Sequence, residues 1–236
     1  MSVMATRQNY EFNVDLVLCI DATGSMFHII DKVKDAASNF HDMLIKELEV
    51  ADKEVTNFRV KVIVFRDYYW DDDMAMKESQ FFNLPSETAA FRDFVSEIKA
   101  DGGHDEPESA LEAIALAMNS DWVKEGTKKR HIIMIWTDAS AHPLETEHAP
   151  EGRPRPAHYP KNMPSNFMEL SDWWNIRQSG KMNPSAKRLI IYAPDKEPWS
   201  KIRKWEQVVR VDSVEEGKGM DEMDMEAIML TLVGSV

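Results

Sequence analysis

Short, nearly continuous apolar runs alternate along the chain with segments whose apolar residues recur every three or four positions. The runs are "VDLVLCI" (14–20), "FRVKVIVF" (58–65), "HIIMIWT" (131–137), "RLIIYA" (188–193) and "QVVRV" (207–211). Runs of this length, rich in β-branched residues and without a polar face, suit strands covered on both sides. Between them, Met26, Ile29, Ile30, Val33, Ala37, Phe40, Leu44 and Leu48 trace one face of a single helix. Phe91, Phe94, Val95 and Ile98 do the same for a second helix, as do Leu111, Ile114, Ala115 and Met118, and Met225, Ile228, Met229 and Leu232. Strands alternating with helices predict right-handed crossovers and a mostly parallel sheet. The segment "SQFFNLP" (79–85) follows the second run through a turn-like stretch too short for a helical crossover, so it predicts an antiparallel edge strand. The expected fold class is α/β: a Rossmann-like, open, mostly parallel sheet with one antiparallel edge strand and helices on both faces.

At 236 residues the chain is long enough to bury one substantial core, and a single domain over 1–236 is expected. One stretch breaks the pattern. Residues 142–165 carry Pro143, Pro150, Pro154, Pro156, Pro160 and Pro164, which forbid a continuous helix and read as an insertion. Loops of this length inside a compact domain are functional or disordered. Tyr159 and Met163 are its expected anchors.

Composition narrows the partners. Lys and Arg total 28 against 41 Asp and Glu, a formal charge of −13, which repels polyphosphates and anionic membrane instead of releasing their counterions. The single cysteine, Cys19, lies within the first apolar run, so no intramolecular disulfide forms and a reducing compartment is favoured. The N-terminal segment lacks a signal-peptide apolar core, and no apolar run approaches the roughly 20 residues a membrane span needs. A cytoplasmic protein is expected, binding neither nucleic acid nor membrane.

The candidate chemistry gathers where strands end. In an open parallel sheet the carboxyl ends share one edge, and ligands bind where strand order reverses. Asp21, Asp67, Asp105 and Asp138 all fall at that edge. In "DATGSM" (21–26), an extended turn puts Asp21, Thr23 and Ser25 on one side, while Gly24 permits a tight bend before the helix. Three converging oxygen donors with few full charges suit a hard divalent cation, Mg²⁺ foremost, with Mn²⁺ or Ca²⁺ possible. The plainer alternative is that Thr23 or Ser25 caps the following helix. Asp67 is read either as an acceptor orienting metal-bound water or as a turn residue, and Asp71-Asp72-Asp73 as a solvated turn. His142, His148 and His158 show no zinc-ligand spacing, and Trp173, Trp174 and Trp205 read as packing anchors.

"VDLVLCIDATGSM" together with "IIMIWTDA" resembles the von Willebrand factor type A (vWA) domain over about residues 12 to 233. In that family an Asp-x-Ser-x-Ser motif, a Thr from a later loop and an Asp after the fourth strand form a metal-ion-dependent adhesion site. The resemblance implies Asp21, Thr23 and Ser25 as the first motif, with Thr23 replacing its first Ser, and Asp138 as the later Asp. Where the family commonly has Gly-Gly-Thr, this chain has Gly102-Gly103-His104 and then Asp105-Glu106-Pro107-Glu108, which looks like the Gly-Gly-x-Asp-x-Pro-Glu variant of intracellular and bacterial members. Asp105 is the better ligand of this loop for a hard cation, directly or through a water.

Two functions from different classes follow. In the first, Mg²⁺ on Asp21, Thr23, Ser25, Asp105 and Asp138 keeps an open position for an Asp or Glu of a partner protein, and the chain is a non-enzymatic adaptor. Its resemblance to bacterial vWA proteins implies a stress-response or phage-defence complex. The alternative is a Mg²⁺-dependent phosphatase or phosphotransferase with Asp21 as nucleophile, which would need an Asp acid–base where Thr23 stands.

Overall fold

A computed structural model describes residues 11–37, 39–103, 106–144, 156–175, 182–211 and 224–236. Its seven strands form one sheet: β1 (Phe12–Asp21), β2 (Asn57–Phe65), β3 (Met76–Glu78), β4 (Phe82–Leu84), β5 (Lys128–Trp136), β6 (Lys187–Tyr192) and β7 (Val208–Val211). The order is β3-β2-β1-β5-β6-β7, with β4 also on β2. All neighbours from β2 through β7 run parallel, while β3 and β4 lie antiparallel on β2. Each predicted apolar run is a strand. The central strand, β1, is buried at all ten positions.

Its side chains alternate between two cores, because successive residues of a strand point to opposite faces. Val14, Leu16, Leu18 and Ile20 join the core covered by α1 (Phe27–Ala37), α2 (Phe40–Val50), α3 (Thr88–Ser96) and α7 (Met225–Ser235). Val17 and Cys19 join the opposite core, covered by α4 (Ala110–Met118), α5 (Phe167–Asn175) and α6 (Trp199–Ile202). Trp174 and Trp205 stack at 6.1 Å within it, as packing residues. Each large side chain so buried is worth about 1.5–3 kcal/mol, and helices on both faces explain why the strands carry no polar side.

Two expectations are corrected. The single helix traced from Met26 to Leu48 is two, α1 and α2, because Asn39 leaves helical geometry (φ −115°, ψ 7°) at the N-cap of α2. Both segments keep their apolar face on the same core, so the periodicity survived a break it could not reveal. The antiparallel edge also starts earlier than residue 79. β3 and β4 are one edge interrupted by an inserted residue: Glu78 pairs with Ile63, whereas Phe82 pairs with Val60. At the interruption Val62 N donates to Ser79 Oγ and Ser79 N to Val62 O, both at 2.9 Å, so a hydroxyl stands in for a ladder carbonyl.

At the amino-terminal end of the sheet, Asp15 of β1 and His131 of β5 are buried polar residues beside the apolar runs. Asp15 accepts Arg59 Nε at 2.8 Å, Arg59 Nη2 at 2.6 Å and Val123 N at 2.7 Å. Opposite it in register, His131 Nε2 lies 2.9 Å from Val123 O, and its Nδ1 accepts Asn183 N at 3.0 Å. At the carboxyl end, β1 and β5 are neighbours whose crossovers leave in opposite directions, so Asp21 and Thr137-Asp138 face one crevice.

Candidate functional site

The crevice is built from backbone turns that aim hydroxyls at carboxylates. Asp21, the last residue of β1, accepts Thr23 N at 2.9 Å and Thr23 Oγ1 at 2.7 Å on Oδ1, and Thr137 Oγ1 at 2.6 Å on Oδ2. Ser25 Oγ donates to Asp138 Oδ1 at 2.9 Å. The structure thus brings Asp21, Thr23, Ser25 and Asp138 together. Neither hydroxyl caps a helix: Thr23 is the N-cap of the 3₁₀ turn Gly24–Met26 and makes no side-chain cap bond. The two carboxylates, expected at a solvent-facing edge, are buried instead, Asp21 at 0 % exposure and Asp138 at 1 %. The loops on either side close over the strand ends.

Those loops are fastened by the residue after β2. The buried Arg66 guanidinium donates to Ala22 O (3.1 Å), Asp101 O (2.7 Å), Met74 O (2.7 Å) and Lys99 O (2.6 Å). Asp101 N in turn donates to Ala22 O at 3.0 Å, so the glycine loop is drawn onto the first motif. Gly102 and Gly103 hold positive φ (76° and 67°) there. A Cβ on Gly103 would stand 2.7 Å from Thr23 Cγ2 and 3.2 Å from Glu108 Oε1. Only glycine lets the backbone approach so closely. His104 and Asp105 lie outside the described residues, so the place of Asp105 among the ligands stays a proposal.

Glu108 is the acid that the residue pattern did not single out. It is 3 % exposed, and its Oε2 meets no hydrogen-bond partner among the described residues. Its backbone is locked: Glu108 N donates to Ser140 O at 3.0 Å and His142 N to Glu108 O at 2.8 Å, beside the end of β5. Burial, then the negative charges of Asp21, Asp67, Asp71 and Asp138, pushes the Glu108 carboxyl up to about 10. Burial likewise raises Asp21 to about 6, against the hydrogen bonds of Thr137 and Thr23 that favour its charged form. Glu106, at the rim, is raised by burial too. Crowded carboxylates with orphaned oxygens on Glu108 and Asp67 are a site short of positive charge.

Asp67 shares that oxygen deficit, its buried Oδ2 also making no hydrogen bond among the described residues. Its Oδ1 accepts Tyr69 N at 2.8 Å, and its Oδ2 stands 3.2 Å from His142 Nε2. Asp71 is half-buried and not a freely solvated turn residue: its Oδ2 accepts Asp67 N at 3.1 Å, and its Oδ1 packs against Gly102. Asp72 and Asp73 are exposed. In the proline-rich segment, Tyr159 donates its hydroxyl to Glu112 Oε1 at 2.8 Å and packs on Tyr68, and Met163 packs on the core behind α4. His148 is outside the described residues.

Chemically the donors are carboxylates and hydroxyls, which suits a hard cation and not zinc. Among the described residues no three Asp, Glu, His or Cys side chains converge as a metal-holding group, since the hydroxyls close on the carboxylates. Asp21, Thr23, Ser25, Asp138 and Glu108 could hold one together with the hydroxyl donors turned outward. Glu108 was findable only by asking which acids of the glycine loop the sheet edge would bury.

An open, mostly parallel sheet with a hydroxyl-and-carboxylate turn after its first strand defines a class of α/β domain. A family model described as von Willebrand factor A domain matches residues 15–149, and the chain belongs to that family. Its members are generally protein-interaction modules. Over 132 residues the chain is 30 % identical to the "Alpha-protein kinase vwkA" of Dictyostelium discoideum, covering 56 % of this chain and 19 % of the kinase. Two crystal structures of the pilus adhesin SpaC from Lactobacillus rhamnosus GG share its fold at a TM-score of 0.53, one at 13 % identity over 96 % of this chain and 31 % of the adhesin. The second, in an open conformation, is 14 % identical and is covered to 30 %. The chain therefore spans about a fifth of the kinase and under a third of the adhesin. Among the described residues no helix is long and apolar enough to cross a membrane.

Proposed function

We propose that this domain is a metal-dependent interaction module that takes a carboxylate from a partner protein. The observation that carries the reading is the convergence of Asp21, Thr23 and Ser25 with Asp138 at the β1/β5 crevice. Asp21, Thr23, Ser25 and Asp138 would hold Mg²⁺, with Mn²⁺ or Ca²⁺ as substitutes, and Asp105 and Glu108 would complete the set directly or through water. Bound there, the cation supplies an electrophile with a position left for an incoming Asp or Glu. The orphaned Glu108 oxygen and the mutual repulsion of the buried acids support a cation at this place, because either is costly without one.

The wider role, an adaptor in a bacterial stress-response or phage-defence complex in the cytoplasm, follows from the likeness of residues 102–108 to intracellular members. The phosphatase reading fares worse. The acid–base position it would need is Thr23 itself.

The experiment is a pull-down in Mg²⁺ and in EDTA, with Asp138→Asn alongside and a phosphatase assay on the wild type. Retention of a partner that depends on Mg²⁺ and on Asp138 is the expected result. Undiminished binding by folded Asp138→Asn overturns the metal bridge, and metal-dependent phosphate release revives the enzyme.

A further inference from the structure

Behind the crevice, on the far side of Arg66, lies a cavity of about 460 Å³. That volume is within the range that receives small ligands. Val64, Met74, Met76 and Ile98 give it an apolar lining, and Lys77 and Lys99 stand at its mouth. Methionines make an adaptable wall, since their unbranched side chains repack around an occupant. Met74 is 65 % exposed, although its neighbours in the lining include buried core residues.

Charge selects the kind of occupant. Of the two acids at the mouth, Glu97 pairs with Lys77 at 2.7 Å, while Asp73 is exposed to solvent, 3.6 Å from His158 Nδ1. The lining cations Arg66, Lys77 and Lys99 outnumber its acids Asp73 and Glu97, and Lys99 has no ion partner among the described residues, which leaves a cation beside an apolar interior. The walls are also tied to the crevice. Arg66 donates to Met74 O and Lys99 O on the cavity side, and to Ala22 O and Asp101 O on the crevice side. One rigid guanidinium fork therefore fixes both sets of loops, and moving two of its acceptors moves the geometry available to the others.

We propose that this cavity binds a small amphiphilic anion, an alkyl or aryl carboxylate whose body lies on the methionines and whose charge meets Lys99, and that its occupancy is transmitted to the crevice through Arg66. The transmission rests on the metal reading given above. The cavity itself does not.

The probe is 1-naphthaleneacetate, titrated into the full chain by calorimetry and followed by the methyl resonances of Met74 and Met76. Saturable one-site binding that shifts both methyls is expected. Lys99→Glu should weaken it roughly tenfold or more, the scale of one charge-assisted contact, whereas Lys204→Glu should not. Absence of saturable binding, unmoved methyls or an unaffected Lys99→Glu variant overturns the site. For transmission, probe affinity in Mg²⁺ and in EDTA should differ roughly fivefold or more, and Arg66→Lys, which keeps the charge but cannot bridge all four carbonyls, should shrink that ratio whatever it does to the affinity itself. Equal affinities, in a protein whose melting temperature Mg²⁺ does raise, overturn the transmission alone. If Mg²⁺ leaves melting unchanged, the metal reading falls and takes the transmission with it, and the Lys99 result alone decides the cavity.

Discussion

Thr137 and Asp21 lie 116 positions apart in the chain, yet Thr137 Oγ1 donates to Asp21 Oδ2 at 2.6 Å across the boundary between β5 and β1. The bond joins the two strand ends of the crevice and favours the charged form of a carboxyl that burial pushes up to about 6. Thr137→Val keeps the shape and deletes the donor. The expected cost is about 1–3 kcal/mol for the unsatisfied buried oxygen, seen as a lower urea midpoint. Mg²⁺ should also bind more weakly, because the carboxylate must be ionised to ligate. An unchanged midpoint and unchanged Mg²⁺ titration would remove Thr137 from the site.

Mg²⁺ should raise the melting temperature as a ligand of the native state does. Ca²⁺ should do so less, since it seeks more oxygen ligands than Mg²⁺, which accepts fewer protein donors and keeps its waters. Asp21→Asn and Asp138→Asn should each abolish the increment. Asparagine is the proper replacement, because both side chains are buried and an alanine would leave Thr23, Thr137 or Ser25 without its acceptor. Scanning calorimetry at matched ionic strength checks this, and superimposable curves in EDTA and Mg²⁺ would refute it.

His131 should contribute a share of stability that acid removes. Its Nδ1 accepts Asn183 N and its Nε2 donates to Val123 O, so the neutral ring is the one that fits. Burial holds its pKa below the ordinary 6.5. The unfolded chain therefore takes up a proton that the folded chain resists, and stability present above pH 6.5 is lost as pH falls below it. Because the raised Asp21 and Glu108 carboxyls act with the opposite sign in both proteins, the test is a difference: from pH 7.5 to 5 the wild-type urea midpoint should fall relative to that of His131→Gln. The same slope in that variant would assign the effect elsewhere.

Buried Asp15 and partly exposed Arg59 form a pair that should be costly to break from the Asp15 side. Asp15→Ala removes two bonds from the Arg59 guanidinium, which keeps Asp121 O and the Phe81 ring, and leaves Val123 N without its acceptor, an expected loss of about 1–3 kcal/mol. Adding Arg59→Met should recover part of it, since an apolar replacement removes the charge that lost its carboxylate. Chemical denaturation of both variants tests this, and a double variant no more stable than the single would contradict it.

What the sequence determined is what neighbouring residues decide. Unbroken apolar runs fixed five strands, three-and-four spacing fixed which helix faces are buried, and Asp-Ala-Thr-Gly-Ser fixed a turn whose own backbone brings Thr23 Oγ1 to Asp21. Even here locality had a limit, since the break at Asn39 left the periodicity intact.

What only the tertiary structure decided is which chain ends meet. Asp21 touches Thr137, and Ser25 touches Asp138, because β1 takes β5 as its neighbour in a particular register. Arg66 looks like any charged residue after a strand until four carbonyls from separate loops converge on it. Glu108 looks like a surface acid until the ends of β2 and β5 close around it. A residue's type sets what it can donate or accept, but burial and partners come from surfaces assembled out of distant segments. The pattern along the chain therefore carries the strands and the first motif, while the depth of the crevice and its electrostatic strain exist only once the sheet is formed.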